Sequence, residues 1–559
     1  MDIKTIAPGL SVSPQLLPSE MDQIRAQGFR SVICNRPDAE GPDQPGHDEM
    51  RAAAEAAGLQ FLYLPVTPGM VTDETADAFG TALTQLPGPV LAYCRTGTRS
   101  ATLWSLSQAK TRALPDILAA TAAAGYDMNG VARRIANGGK TPTDTGDAHY
   151  KVAIVGAGAG GISVAASLKA RKPDLEIALI DPADIHYYQP GWTMVGGGIF
   201  EAQDTAKTMG SLIPRGVHWI KAAVAAFEPA NNAVVLDGCR VVTYDRLIVC
   251  PGLKLDWARV EGLEETLGRN GVTSNYRYDL APYTWDLVQG LKKGTAIFTQ
   301  PPMPIKCAGA PQKAMYLSGD HWFRTGVLKD IDIRFNTAGG VLFGVKDYVP
   351  ALQTYVKKYG AALNLFHNLV AVDGPAKRAT FEVKKPDTAP ETVTMDFDMM
   401  HVCPPQTAPD FIRVSPLADA AGWIDVDQAT LRHKSYDNIW SLGDVMNAPN
   451  AKTAAAARMQ APVVADNVVA DIENRSPTAV YNGYGSCPLT VERGKIVLAE
   501  FGYGGTLLPS FPKFLLDGTK PTRAAWLLKE RILPPIYWKA MLRGREWMAK
   551  PEPLKVVGE

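Results

Sequence analysis

Lys151-Val-Ala-Ile-Val-Gly-Ala-Gly-Ala-Gly-Gly161 is the stretch on which the fold turns. Lys151 to Val155 reads as a buried strand, Gly156 to Gly161 supplies G-x-G-x-x-G, and Ile162 to Ala170 continues as a helix. Gly156 permits the tight turn, Gly158 lets the backbone approach a pyrophosphate, and Gly161 allows close helix packing. The helix N-terminus offers amide donors and the positive end of a dipole. Asp181 closes a second strand, Glu176-Ile-Ala-Leu-Ile180, about twenty residues on, where an acid accepts from a ribose hydroxyl. A glycine-rich turn in a plain α/β domain is the alternative, but strand, loop and helix in this order favour a dinucleotide site.

Working outward, 559 residues exceed one domain. The balance of 57 basic against 57 acidic residues leaves no electrostatic footprint for nucleic acid. Seven cysteines, at 34, 94, 239, 250, 307, 403 and 487, are odd in number and scattered with no C-x-x-C pair. That pattern argues against a disulfide framework and a zinc site, so no metal is expected and a functional cysteine acts as a thiol. The N-terminus shows no secretory signal, and no run of apolar residues is long enough to span a bilayer, which predicts a cytoplasmic protein.

The polar stretch 138–149 reads as a linker. Residues 1–137 alternate β-rich runs with helical stretches and form a small, mostly parallel α/β unit. Beyond the linker, residues 150–262 with 420–474 are expected to form a dinucleotide domain. Residues 263–419 form a second Rossmann-like domain, and 475–559 a C-terminal region ending in two amphipathic helices.

Two later segments point to FAD. Tyr244-Asp-Arg-Leu-Ile-Val-Cys-Pro-Gly252 and Ile439-Trp-Ser-Leu-Gly-Asp444 resemble the strand-and-glycine and Gly-Asp elements of two-dinucleotide flavoproteins. Where such a protein would open its NADH loop, this chain has Pro302-Met-Pro-Ile-Lys-Cys-Ala-Gly-Ala-Pro-Gln-Lys313, a thiol in place of a glycine loop. Six ordered motifs then resemble the mitochondrial type of sulfide:quinone oxidoreductase: His186-Tyr-Tyr-Gln-Pro-Gly-Trp-Thr-Met-Val-Gly196, Ile305 to Lys313, Phe335-Asn-Thr, Phe343-Gly-Val-Lys346, Lys452-Thr-Ala-Ala-Ala456 and Ser486-Cys-Pro-Leu489. The resemblance implies an α/β flavin disulfide reductase fold. It also implies oxidation of hydrogen sulfide, two electrons passed to a membrane quinone, and sulfane sulfur left for a small-thiol acceptor such as glutathione, or for sulfite.

Cys307 is the candidate nucleophile. Lys306 and Lys313 flank it, and a sulfur nucleophile needs positive surroundings. Lys313 and Lys452 are placed to stabilise negative charge on flavin or thiolate. The cofactor set is Gly156, Gly158, Gly161, Asp181, Gln189, Gly252, Asp444 and Lys452. One departure stands out: the family pattern puts a second redox cysteine just after the Gly-Asp element, bridged to the first by a sulfur atom, and this chain has Val445 there. Either Cys307 works alone with an external thiol, or Cys403 or Cys250 substitutes, or the module has become a sulfide sensor without turnover.

A second thiol site lies near the N-terminus. Tyr93-Cys-Arg-Thr-Gly-Thr-Arg-Ser100 follows an apolar strand and precedes a helix, the setting of an anion-cradling loop with Cys94 as nucleophile and Arg99 completing the cradle. With Asn35-Arg-Pro-Asp38 it resembles the phosphatase-like domain of beta-lactamase-hydrolase-like proteins. Phosphatase loops of that fold hold five residues between cysteine and arginine, whereas Cys94 and Arg99 hold four, as in rhodanese sulfurtransferases. A sulfurtransferase is therefore favoured over a phosphatase or an idle domain, with sulfur passing from Cys307 to a tethered Cys94.

At the C-terminus, Thr522 to Leu533 and Pro535 to Met548 interleave Trp, Leu, Ile and Met with Lys and Arg, as interfacial helices do. They predict peripheral binding on the cytoplasmic membrane face; a homodimer is one state the reading admits. An NADH:quinone oxidoreductase is the remaining alternative.

Overall fold

The computed structural model describes residues 1–41, 44–68, 70–131, 134–135, 137–140, 148–237 and 240–554. Most of the expected linker, 141–147, and Cys239 lie outside the described residues. Contacts divide the chain into two units, Met1–His149 with Ala223–Thr243, and Tyr150–Ala222 with Tyr244–Glu559.

The first unit is built on a five-stranded sheet in the order Lys4–Ala7, Leu10–Ser13, Val90–Tyr93, Ser31–Cys34, Gln60–Tyr63. Only the first pair is antiparallel; the others are parallel. Val90–Tyr93 and Ser31–Cys34 are buried throughout, because helices on both faces leave no polar side to the sheet. Ile33, Phe79, Val90, Leu103, Trp104 and Ile117 form one of its cores. Gly97, at φ +86°, turns the chain from the strand carrying Cys94 into the helix Thr98–Ser107.

In the second unit, strands Val217–Ile220, Ile177–Ile180, Ala148–Val155 and Val241–Val249 lie in that order. Ile439–Ser441 pairs parallel with Val241–Val249. The helix Ala159–Arg171 follows the first strand, as the glycine motif requires. A second sheet of five strands, Val272–Thr273, Met399–His401, Gly294–Gln300, Ile331–Thr337 and Ala362–Leu365, is wholly parallel. The molecule is thus α/β throughout: a phosphatase-like N-terminal domain, two Rossmann-like domains of the flavin disulfide reductase type, and a C-terminal helical segment.

A hairpin, Gly485–Glu492 with Lys495–Phe501, packs against the helix Ala310–Thr325. Cys487, Leu489 and Val491 enter the core that holds Ala314, Met315 and Tyr316. Each apolar side chain so buried contributes about 1.5–3 kcal/mol, enough to fix the hairpin's register on the helix. Near the C-terminus the two expected helices merge into one run. Arg523–Leu527 passes through a π-turn, Leu528–Ile532, into Leu533–Lys539. Pro534 is tolerated because it falls at the start of the last segment, where its missing N–H leaves only a π-turn unsatisfied. Among the described residues no helix is long and apolar enough to cross a membrane.

Candidate active site

Cys307 sits on a turn before the helix Ala310–Thr325 in the left-handed region, φ +49°, a costly conformation for a residue with a side chain. Its surroundings hold it there. Its amide donates to Lys452 O at 2.8 Å, its carbonyl accepts from Ala310 N at 2.7 Å, and Tyr276 Oη donates to Lys306 O and Cys307 O at 3.1 and 3.3 Å. Lys313, in the helix's first turn, donates from Nζ to Cys307 Sγ at 3.1 Å.

Opposite Cys307 stands Cys487, with the two Sγ atoms 4.0 Å apart. Gly309 makes that approach feasible: a Cβ on it would lie 2.5 Å from Cys487 Sγ and 2.3 Å from Leu489 Cδ2. The hydrogen bond from Cys487, working against burial and joined by the Lys313 charge, holds the Cys307 thiol well below its ordinary range. Sharing with Cys307, together with burial, drives Cys487 the other way. Burial pulls the Lys313 ammonium down, but the two sulfurs outweigh it and hold it above the ordinary lysine value. Lys529, on the C-terminal π-turn, is a further buried cation beside the pair, pushed by burial and by Lys313 down to about 7.

The position after the Gly-Asp element is Val445, as read from the sequence, and the thiol that the structure brings to Cys307 comes from elsewhere in the chain. Val445 is fully buried and apolar, and Cys487 takes the place beside Cys307. Neither proposed substitute fills that place. Cys250 is bonded to Gly156 O, burial raising its thiol, and Cys403 faces Tyr276 and Gln406, burial pushing it up to about 12.

Cys307 and Lys313 open into a cavity of about 450 Å³ that also takes in Gly158, Asp181, Gln189, Gly252, Asp444 and Lys452. At Gly158 and Gly252 a Cβ would meet nothing within 4 Å, so the backbone there faces open space. Gly161 is spent on packing, since its Cβ would lie 1.8 Å from Gly156 O. Asp181 accepts from Ala157 N at 2.7 Å and from Ala183 N at 2.8 Å, which orients its carboxylate at the cavity's edge. Gln189 accepts from Lys306 Nζ at 2.6 Å. Lys452 departs from its expected role: its ammonium donates to Asp444 O and Met446 O, and burial brings it down to about 8. It braces the Gly-Asp turn from behind. The buried Trp192 Nε1, Thr193 Oγ1 and both polar atoms of the Asn275 amide line the same cavity without a hydrogen-bond partner.

The matches to known proteins agree with this geometry. Residues 150–283 match the Pyridine nucleotide-disulphide oxidoreductase family, and residues 2–111 the phosphatase-like domain of Beta-lactamase hydrolase-like protein. The mitochondrial Sulfide:quinone oxidoreductase of Dictyostelium discoideum is 43% identical over 403 residues, covering 72% of this chain and 87% of that protein. The chain belongs to the sulfide:quinone oxidoreductase family. The structure of the sulfide:quinone oxidoreductase of Aquifex aeolicus shares the fold, with a TM-score of 0.61 at 19% identity over 74% of this chain and 98% of that one. Within the first unit, a Beta-lactamase hydrolase-like protein of Agrobacterium fabrum is 38% identical over 100 residues, which is 18% of this chain and 23% of that protein.

FAD is the cofactor of this oxidoreductase family and of its dinucleotide domain. The cavity fits it: an open glycine loop, an oriented acid for the ribose, and unpartnered buried donors and acceptors where a polar ring system would lie.

In the first unit, the Cys94 loop runs into the helix Thr98–Ser107, with the Arg99 guanidinium turned to Val66 and Glu40 and not to the Cys94 sulfur. Cys94 is fully buried, and Gly97 N donates to its Sγ at 3.1 Å. Arg99 donates to Val66 O at 2.6 Å and to Glu40 Oε2 at 2.8 Å, and Arg36 reaches the same carboxylate at 2.6 Å. Ser100 ties the helix to Asn35 of the Asn35-Arg-Pro-Asp38 segment at 2.8 Å. Glu40 escaped sequence reading because nothing local marks a carboxylate that two arginines share.

Proposed function

We propose that the chain is an FAD-dependent enzyme that oxidises hydrogen sulfide at the Cys307–Cys487 pair and passes two electrons to a membrane quinone. With a small thiol RSH as acceptor the reaction balances: one hydrogen sulfide, one RSH and one quinone give one persulfide RSSH and one quinol. The observation that carries the reading is the pair of sulfurs 4.0 Å apart, with a lysine on one of them, in the cavity that holds the dinucleotide loop.

In the oxidised pair, joined through sulfur, hydrosulfide attacks on the Cys487 side. The bond between Cys487 Sγ and the bridging sulfur breaks, leaving Cys487 as a persulfide and the electron pair on the bridging sulfur, now a Cys307 persulfide anion. Lys313 Nζ, 3.1 Å from Cys307 Sγ, stands beside that charge. An acceptor thiolate then takes the sulfane sulfur from Cys487. Re-forming the bridge between the Cys487 thiolate and the Cys307 persulfide releases two electrons, for which bound FAD would supply the acceptor and, in turn, the donor for the quinone. Gly156, Gly158, Gly161, Asp181, Gln189, Gly252 and Asp444 are the residues proposed to hold it, with Lys452 bracing the last.

Cys94 with Arg99 is proposed as a sulfurtransferase site that accepts the product sulfur, supported by the four-residue loop and the Gly97 amide on its sulfur. The chain is proposed to sit peripherally on the membrane, supported by exposed Phe514 and Leu515, 92% and 65% accessible, and by the exposed Leu527 and Ile532 of the C-terminal helical run.

The test is an anaerobic titration of the flavoprotein with sulfide, then a short-chain quinone. Bleaching and quinone-driven recovery that disappear in Cys307→Ser and Cys487→Ser are the expected result. Equal responses in parent and variants would overturn the reading.

A further inference from the structure

Reducing a quinone consumes two protons as well as two electrons, and Leu498, Phe511, Leu528, Ile536 and Met541 put apolar side chains on the wall of the cavity, with Lys529 among them. An apolar wall excludes the water that would otherwise supply protons. One carboxylate breaks it. Glu500, on the strand Lys495–Phe501, is 4% exposed yet lines the cavity. A buried carboxylate is costly unless donors surround it. Tyr484 Oη donates to Oε1 at 2.6 Å, Ser510 Oγ donates to Oε1 at 2.5 Å, and Ser510 N donates to Oε2 at 3.1 Å. Tyr484 and Ser510 line the cavity too, and Ser510 is exposed to solvent. Tyr484 Oη and Ser510 Oγ are themselves 3.2 Å apart.

Resting on the quinone-reducing activity proposed above, we infer that Ser510, Glu500 and Tyr484 form the proton line from solvent to the quinone. The observed arrangement is the discharged line, with both hydroxyls pointing at the carboxylate. A solvent proton entering past Ser510 converts Glu500 to its acid. The acid then gives its proton to Tyr484 Oη while the Tyr484 O–H proton moves to an oxygen of the reduced quinone. The carboxylate is recharged from water and the second proton follows, so that quinone, two electrons and two protons give quinol. The charged and titratable groups facing Glu500 are Tyr484, whose phenol burial and then the Glu500 charge raise, Tyr348, whose Oη contacts the Glu500 backbone, and Arg458 behind Tyr484.

The experiment starts from flavoprotein reduced chemically with dithionite, so that its outcome is independent of sulfide chemistry, and follows reoxidation by a short-chain quinone across pH. Glu500→Gln and Tyr484→Phe are expected to slow reoxidation by roughly a hundredfold, the usual worth of a positioned acid, and to flatten its pH profile. Glu500→Asp is expected to recover part of the rate with a displaced profile. An infrared difference spectrum is expected to show a protonated-carboxyl band that Glu500→Gln removes. Parental reoxidation in Glu500→Gln, or a raised quinone KM with the parental pH profile and an unchanged infrared spectrum, would show that Glu500 only anchors the Ser510 loop. Failure of sulfide to bleach the parent while this proton dependence persists would strike the sulfide reading and leave the relay standing.

Discussion

Cys307 Sγ and Cys487 Sγ meet at 4.0 Å although 180 residues separate them in the chain. A direct disulfide would need about 2.05 Å, so the observed gap has room for one further sulfur atom. Peptide mapping of sulfide-treated, non-reduced protein is expected to find the two cysteine peptides joined with one extra sulfur. Loss of either thiol, as Cys307→Ser or Cys487→Ser, is expected to lower sulfide-driven flavin reduction by roughly two orders of magnitude or more, with FAD still bound.

Lys313→Met removes the cation on Cys307. The folded thiol lies below its ordinary value, near 8.5 in free peptides, so alkylation of Cys307 in the parent stays fast as pH falls through that range. The variant is expected to lose alkylation rate at a higher pH than the parent. The same depression adds stability above the unfolded thiol value and loses it as pH falls through the folded one. Chemical unfolding of Lys313→Met is therefore expected to show a weaker pH dependence in this window.

Gly309→Ala puts a methyl group 2.5 Å from Cys487 Sγ. Overpacking of this kind costs about 1–3 kcal/mol, and the hairpin has no free direction in which to retreat because Leu489 and Val491 are locked into the core. Thermal denaturation is expected to show that loss, and thiol counting is expected to find two separate thiols after sulfide treatment in place of a bridge.

How much of this was legible in the sequence follows from how each part is held. The glycine loop, Asp181 and the Cys307–Lys313 spacing are local: six residues across one turn and the first turn of a helix place the ammonium on the sulfur. Cys487 was visible only as part of Ser486-Cys-Pro-Leu489, because its place beside Cys307 depends on tertiary packing of the hairpin on the helix Ala310–Thr325. Local periodicity carries no record of such a meeting. Lys529 and Glu500 were missed for the same reason. A lysine in an amphipathic run reads as solvent-facing, and a glutamate closing an apolar strand reads as its polar end.

Cys94→Ser is expected to lower sulfur transfer from thiosulfate to a small thiol by roughly a hundredfold or more. Cys34→Ala, which removes a buried thiol bonded to Arg36 O two residues further along the chain, is expected to retain it. Release of phosphate from an aryl phosphate with Cys94 dependence, and no sulfur transfer, would return the domain to phosphatase chemistry.

Phe514→Asp with Leu515→Asp replaces two side chains that contribute little to the core, so thermal stability is expected to stay near the parent's. Co-sedimentation with phospholipid vesicles is expected to weaken by roughly tenfold or more, the consequence of removing two apolar anchors from an interfacial segment.

A chain with both cysteines but a side chain at position 309 would have to push Cys487 and Leu489 away from Cys307 to make room for it. The absent methyl at 309, as much as either cysteine, is what lets the two sulfurs come within 4.0 Å.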